Sequence, residues 1–600
     1  MPPATSTINP ATTITGTAYI SSSASGPVLS STTPLSFWGG VSPATSQILD
    51  AHHPLLGQQL AGRVLAIPSS RGSCSGSGVL LELLLNGHAP AALVFELQEE
   101  ILTLGVLVAR EVFGKCIPVL RVGKDEFERV CRSTWVRVLG ERVECYDARP
   151  EDGLEFAVGV ETGGVPEAET LSGMSLSDDD LSLFQGQYGK AAQVAIRIIL
   201  QMAKVQGADS LLSVTRAHID GCVYTGPATL AFANQLKDWD AQVRIPTTLN
   251  SVSVDLARWR AQGVDEEFGI AASALASAYV AMGVKPTYTC APYLLDDVPL
   301  PRKGEQIMWA ESNAVVFANS VLGARTVKCP DYLDICVALT GRAPNAGCHI
   351  AANRRAGIKI ILDFPSLANS DESFFPLLGY LVGEAAGNRI PIVFGLEKLS
   401  VSQDDMKAFG AAFATTSSAA MFHLTGLTPE ATTDEEISFH LSCQNSVATI
   451  TKTDLRRGWE TLNNTAIAKV DLISLGNPHF SLAEIRLFTA LLTRSETSKH
   501  PEITLIITTS RATYSRAGEE GLIETLENWG VQILTDTCWC MISEPVIPLD
   551  AKTVLTNSGK YAHYAPGLTA GRGVRFAGLR DCARAAREGV LVVGLPAWLA

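Results

Sequence analysis

Two hydrophobic periods divide the chain. After residue 181, short apolar runs rich in β-branched residues recur at 211–214, 358–362, 390–394, 470–473, 503–508 and 531–534, and each predicts a buried strand. Stretches of helical spacing separate them. Val194, Ile198, Met202 and Val205 mark one such helix, which Gly207 ends. Strand and helix in alternation predict βαβ units and parallel sheets, in more than one lobe. Before residue 150 the units are smaller. Residues 13–21 alternate as a first strand, and 64–67 form a buried strand that Pro68 closes. Residues 79–85 are apolar on nearly every side, with Glu82 the only exception, so they predict a mostly buried helix stopped by Gly87. A strand at 91–95, a helix at 101–111 and a strand at 116–122 follow. Residues 146–181 are rich in Gly, Glu, Asp and Ser. They predict a linker whose run Asp178-Asp179-Asp180 is solvated and caps the next helix. The predicted fold class is α/β, with a small β/α domain at 1–150, a linker at 151–180 and a large multi-lobe domain with parallel sheets at 181–600.

Candidate chemistry starts in the loop after the 64–67 strand. It reads Pro68-Ser-Ser-Arg71-Gly72-Ser73-Cys74-Ser75-Gly76-Ser77-Gly78. Gly72, Gly76 and Gly78 predict a tight turn and close backbone approach to a ligand. Free N–H groups at the start of the next helix favour an anion, and Arg71 adds a fixed positive fork. Ser69, Ser70, Ser73, Ser75 and Ser77 supply hydroxyls. No Gly-Lys-Ser/Thr closes the loop, so it is not a Walker A motif. From the loop alone, an ordinary Ser/Gly surface turn fits as well.

Composition narrows the partners. The chain has 600 residues, of which 46% are hydrophobic and 18% charged, ample for several packed domains. A net charge of -14 argues against nucleic acid. It does not argue against an anionic substrate, because a local Arg dominates at contact distance. No apolar run reaches the roughly 18 residues of a membrane span. The first basic residue is Arg63, which argues against a targeting presequence. Thirteen Cys, an odd number, fit reduced thiols in a cytoplasmic protein, some of them metal ligands. Oligomeric state is left open.

A second dense set of polar residues begins with Thr289-Cys290-Ala291-Pro292-Tyr293. It continues with Gly304-Glu305, Trp309, Glu311-Ser312-Asn313, Asn319-Ser320 and Arg325-Thr326. Near the end come Asp536-Thr537-Cys538, Thr556-Asn557-Ser558, Lys560-Tyr561, His563-Tyr564 and Asp581-Cys582. So many polar groups among Ala and Gly need partners, which predicts a lined pocket; satisfied core hydroxyls and buried Cys are the other reading. There is no Cys-x-x-Cys pair. A strand would point Cys538 and Cys540 to one face.

These residues carry a family resemblance. Phe37-Trp38-Gly39-Gly40-Val41, His53-Pro54-Leu55, the Ser loop and Ala89-Pro90 together resemble the small swivelling domain of the aconitase X family. Ala217-His218-Ile219-Asp220-Gly221 with Tyr224, the run from Pro246 to Asn250, Gly341-Arg342, His423 to Glu430 and the Cys motifs resemble its large domain, over about 181–590. Here both parts lie in one chain, small part first. The resemblance implies an aconitase-like fold and an iron–sulfur hydro-lyase. Cys290, Cys538 and Cys582 would hold a [2Fe–2S] or [4Fe–4S] cluster with one open iron, a Lewis acid for the substrate hydroxyl. The small part would swing Ser73 over it as general base, and Arg71 would take the substrate carboxylate. Gly221, Cys222, Val223, Asn250 and Ser251 would bind substrate. Cys74, Cys222, Ser251 and the fusion itself depart from the two-subunit phosphomevalonate branch. They favour dehydration of the small hydroxy acid cis-3-hydroxy-L-proline to Δ1-pyrroline-2-carboxylate. The alternatives are another hydroxy acid, phosphomevalonate included, or a non-catalytic relative. Cys329, Cys336, Cys348 and Cys443 are expected to serve core packing.

Overall fold

The computed structural model describes residues 10, 12–50, 53–150, 170–364, 370–442, 446–494 and 498–600. The chain divides into two compact units. One comprises Met1–Ser213, Thr225–Ile245 and Cys329–Ala346; the other comprises Val214–Tyr224, Pro246–Lys328 and Gly347–Ala600.

The first unit is organised by an eight-stranded mixed sheet. Its centre is parallel: Ser23–Ser30, Val64–Ile67, Ala92–Phe95 and Val119–Arg121 lie side by side. Antiparallel strands Trp135–Leu139, Arg142–Tyr146 and Thr12–Thr15 extend one edge, and Thr17–Ile20 closes the other. The 13–21 alternation is thus two strands, parted at Gly16 and sent to opposite edges. Val64–Ile67 and Ala92–Phe95 are buried throughout, as central parallel strands require. Helices Gly76–Leu85 and Ile101–Phe113 pack together at Gly105, where an added Cβ would lie 2.7 Å from the Ser77 carbonyl oxygen.

This unit continues past residue 150. Residues 151–169 lie outside the described set, but helix Lys190–Val205 packs on Ile101–Phe113. Gln201 donates to Glu111 (2.9 Å), and Gln206 donates to Glu100 (2.7 Å). The run 178–180 is also not wholly solvated. It opens helix Asp178–Phe184 through a capping box with Ser177, as expected, but Asp180 is buried and accepts from Arg342 at 2.6 and 3.0 Å. The expected strand at 211 is Leu211–Ser213, and it pairs antiparallel with Arg342–Pro344 rather than joining a parallel sheet.

The second unit holds three parallel sheets. Their strand orders are Thr247–Leu249, Ala217–Ile219, Met308–Trp309; then His423–Leu424, Pro391–Phe394, Ile358–Asp363, Val447–Thr451; then Gln532–Leu534, Thr504–Thr509, Leu472–Phe480, Thr553–Thr556, Gly573–Phe576. The last sheet is buried on both faces. Ile473, Leu505, Ile507 and Leu555 enter one apolar cluster, and Leu472, Ile506, Val554 and Val574 enter another. That is why these strands read as unbroken apolar runs. Each fully buried Leu or Ile contributes about 1.5–3 kcal/mol. The 12 described Cys are all free thiols; Cys443 lies outside the described residues. Among the described residues, no helix is long and apolar enough to cross a membrane.

Candidate active site

The serine loop belongs to the first unit. Strand Val64–Ile67 delivers it, and Gly72, with φ of 83°, reverses it. Gly76 and Gly78 play a different part from the turn role expected of them. Both lie in the first turn of helix Gly76–Leu85, where a Cβ would press on Ile101 (3.0 Å) and on the Tyr332 hydroxyl (3.0 Å). The N–H groups expected to await an anion are engaged in i→i−3 bonds: Gly76 to Ser73, Ser77 to Cys74, Gly78 to Ser75, at 3.1–3.4 Å. The hydroxyls also divide. Ser70 donates to buried Glu99 (2.5 Å), whose carboxylate caps helix Ile101–Phe113, and Ser77 donates to the Ile101 carbonyl (2.9 Å). Ser73 and Ser75 hold each other at 3.3 Å, with Ser75 buried and Ser73 half-buried. Arg71 is anchored by Asp50 at 2.7 Å through one terminal nitrogen; its Nε–H is buried without a partner among the described residues.

The other candidate residues lie in the second unit, most of them just beyond the C-terminal ends of parallel strands, where open α/β sheets bind ligands; Cys290 precedes the turn Pro292–Leu294, and Cys582 lies in helix Leu579–Glu588. Residues 220–223 follow Ala217–Ile219, 250–253 follow Thr247–Leu249, and 535–540 follow Gln532–Leu534. The expected substrate residues form one knot. The Cys222 thiol faces the carbonyls of Ile219, Asn250 and Ser251 at 3.6–3.8 Å. The Asn250 amide donates to Asp220, and its oxygen accepts from the Ser251 N–H at 2.7 Å. Tyr279 donates to the Gly221 carbonyl (2.9 Å), and Val223 is buried beside it in sequence. The Val252 N–H donates to the Asp536 carbonyl (2.7 Å), joining this knot to the segment of Cys538. Asp536 has φ of 69° and is gripped by Arg511.

Three thiols converge there, and they are Cys290, Cys538 and Cys540. Cys538 is hydrogen-bonded to both of the others. The His479 N–H donates to Cys290 (3.4 Å), and the Asn477 amide donates to Cys540 (3.3 Å). Cys582, the third expected ligand, lies on a separate helix. It sits with Leu579, Ala583 and Ala586 on the buried face of helix Leu579–Glu588, its thiol toward the Ala577 carbonyl (3.9 Å). The i, i+3, i+4, i+7 spacing of that face makes Cys582 a core residue. The bond to Cys290, then burial, pushes the Cys538 thiol up to about 12, and the bond to Cys538 with burial also holds the Cys540 thiol well above its usual value.

His479 joins these segments although the motifs did not single it out, beside Glu311, Asn313 and Lys560, which they did. His479 is neutral, because burial lowers it to about 4. Its Nε2–H donates to the Thr537 carbonyl (2.8 Å) and its Nδ1 accepts from Thr289 (3.2 Å), tying the Cys290 segment to the Cys538 segment. Glu311 accepts from Lys560 (2.7 Å) and from the Asn313 N–H (2.6 Å), while Asn313 donates to the Cys290 carbonyl (3.0 Å). Burial pushes Lys560 down, but Glu311 and the thiols of Cys540 and Cys290 outweigh it and hold the ammonium well above its usual value. A missed signal was Gly476-Asn477-Pro478-His479, turn residues at the end of a strand longer than the expected 470–473. Among the described residues no His, Cys, Asp and Glu are grouped for a single ion. Three thiols beside a cation, Cys290 and Cys538 buried and Cys540 half-buried, would suit an iron–sulfur cluster instead, and each would lose its proton to bind iron.

The architecture has known counterparts. The fold is similar to the crystal structure of Thermococcus kodakaraensis aconitase X in its holo form, with a TM-score of 0.61 and 30% identity, over 69% of this chain and 100% of that one. That likeness puts the chain in the aconitase-like class of α/β proteins. The chain belongs to the aconitase X family: the family's swivel domain matches 13–145, its first domain 173–352, its second 356–460 and its third 470–588. Two similar relatives are the cis-3-hydroxy-L-proline dehydratases of Hypocrea jecorina, 52% identical, and Pseudomonas aeruginosa, 48% identical, each over 97% of both chains. The phosphomevalonate dehydratase large subunit of Methanothermobacter thermautotrophicus is 34% identical over 64% of this chain and 92% of its own.

Proposed function

We propose that this chain is a hydro-lyase that dehydrates cis-3-hydroxy-L-proline to Δ1-pyrroline-2-carboxylate. One observation carries the substrate: dehydratases of that name match the chain from end to end at 48–52% identity, whereas a phosphomevalonate dehydratase large subunit matches two thirds of it at 34%. The aconitase-like family implies dependence on an iron–sulfur cluster. Cys290, Cys538 and Cys540 hold it in this reading, and a cytoplasmic setting keeps those thiols reduced. When bound, the cluster supplies a Lewis acid that eases departure of the 3-hydroxyl.

The chain's own residues do the rest. Ser73 Oγ, as the alkoxide, takes the proton from the carbon next to the carboxylate and becomes the hydroxyl. The C2–H pair becomes the C2=C3 bond as hydroxide leaves C3, and the enamine then shifts a proton to give the Δ1 imine. Arg71 receives the carboxylate, and its unpartnered Nε–H is the donor left for it beside the Asp50 pair. The knot of Gly221, Cys222, Val223, Asn250 and Ser251 binds the ring. The test is turnover by purified, iron-loaded protein. The pyrroline product is expected from the cis isomer and far less from trans-3-hydroxy-L-proline, because one face must present both the proton and the hydroxyl. Faster consumption of 5-phosphomevalonate than of either hydroxyproline would overturn the substrate assignment.

A further inference from the structure

We propose that Glu82 is a positioning residue, the anchor that fixes the helix carrying Ser73. The proposal rests on the reading of Ser73 as the base. From Val79 to its end, helix Gly76–Leu85 is apolar except for Glu82, and Glu82 is only 7% exposed. A lone buried carboxylate on an apolar helix costs stability unless a donor meets it. The donor is the Ala228 N–H, 2.7 Å from Oε2, in the first turn of helix Pro227–Asp238. Here the N-terminal end of one helix, with its unpaired N–H groups and positive dipole end, receives an anion from another. Gly226 makes the approach possible: a Cβ there would lie 2.5 Å from Glu82 Oε2.

The contact is one of three along a single face. Cys74, Gly78 and Glu82 follow each other at intervals of four, one helical stripe running back through the turn into the loop. At the loop end, the Asp331 N–H approaches the Cys74 carbonyl at 3.4 Å. In the middle, Gly78 leaves room for the Tyr332 hydroxyl, Thr225 and Thr229. Tyr332 stands at the start of helix Leu333–Thr340 with φ of 81°, its ring 4.6 Å from that of Phe232. The stripe belongs to the swivel region, 13–145, and Asp331, Tyr332, Thr225, Thr229 and Ala228, which meet it, belong to the first-domain region, 173–352. Glu82 therefore pins the swivel helix to the first domain at the end farthest from the loop. Tyr332 and Asp331 hold the near end. Ser73, adjoining Cys74, is delivered by that helix.

The test compares Glu82→Ala, Glu82→Gln and Gly78→Ala with Ser73→Ala in the full-length, iron-loaded enzyme. A misplacement near 1 Å at a catalytic group costs on the order of 10²-fold. Glu82→Ala is expected to lower kcat by about that factor with KM and iron content held, and to speed amide exchange at Ala228 and over 74–82. Glu82→Gln keeps an acceptor for Ala228 and is expected to restore most of kcat. Gly78→Ala disturbs the same stripe without touching the carboxylate and is expected to lower kcat in the same way. Faster exchange in Glu82→Ala with unchanged kcat would overturn the proposal and leave Ser73 as the base. So would a loss shared equally by kcat, iron content and melting temperature that Gln does not rescue. Near-normal turnover in Ser73→Ala would remove the underlying reading, whatever Glu82→Ala does.

Discussion

The serine loop and the thiol pocket are built on opposite plans. The loop is continuous, and its internal bonds span two or three residues: Ser73 to Ser75, Gly76 to Ser73, Ser77 to Cys74. The pocket is assembled from distant segments. His479 and Cys290 are 189 residues apart, and His479 then reaches Thr537 and Thr289. A local loop keeps its shape while its flanking strand and helix stand. A thiol site assembled from segments this far apart depends on the whole arrangement of its unit. Ser73 should therefore be separable from folding, whereas residues around the thiols should couple chemistry to stability.

The largest expected effect tests the pocket's membership. Replacing Cys290, Cys538 or Cys540 by Ser is expected to abolish bound iron and activity, while Cys582→Ser keeps both. Iron analysis and visible absorption of the purified variants decide it. A Cys582→Ser protein without iron, beside a Cys540→Ser protein that retains it, would restore Cys582 to the ligand set.

Next comes the loop. Ser73→Ala is expected to lower turnover by about 10²–10⁴, the usual contribution of a general base, with the visible spectrum and melting temperature unchanged. Steady-state kinetics beside Ser75→Ala read this directly. If Ser75→Ala loses turnover and Ser73→Ala does not, the base is the neighbouring hydroxyl.

The coupling of pocket and fold is tested at Lys560 and Glu311, whose side chains are 12% and 7% exposed. Lys560→Met leaves Glu311 buried with its cation gone, a loss of about 3–5 kcal/mol in folding stability. Adding Glu311→Gln should recover part of it, as followed by denaturant unfolding. No change in midpoint for Lys560→Met would mean that the pocket is less coupled to folding than its long-range bonds suggest.

The smallest effect lies away from both sites. Burial raises the Asp180 carboxyl, but Arg342 and Ser177 outweigh it and hold it below its ordinary value of 3.8. A depressed carboxyl stabilises the folded state above the unfolded value, and that contribution is lost as pH falls through the folded value. Wild type should therefore exceed Asp180→Asn in stability above about pH 4, with the gap closing under stronger acid. A gap that persists unchanged at pH 2 would mean that Asp180 acts through packing and not charge.

The sequence by itself determined the elements with strong local patterns. The runs at 64–67, 91–95 and 503–508 form strands because β-branched and apolar residues bury well on both faces of a parallel sheet, and the run at 358–362 forms a strand that buries Ile358 and Ile360. The order of loop, helix and strand around Ser73 followed from glycine, proline and an apolar helix. Tertiary structure alone decided the rest. Three-residue strands such as Ala217–Ile219 and Thr247–Leu249 are too short to show a period, yet their ends carry the substrate knot. Gly76 and Gly78 look like turn glycines until Ile101 and Tyr332 occupy the space their side chains would fill. Asp180 looks solvated until Arg342 arrives from 162 residues away. Cys540 joins Cys538 and Cys290 while Cys582 turns into a helix–sheet core. Which thiols meet depends on sheet order and on how the chain leaves each strand, and neither is encoded in the local spacing of the cysteines.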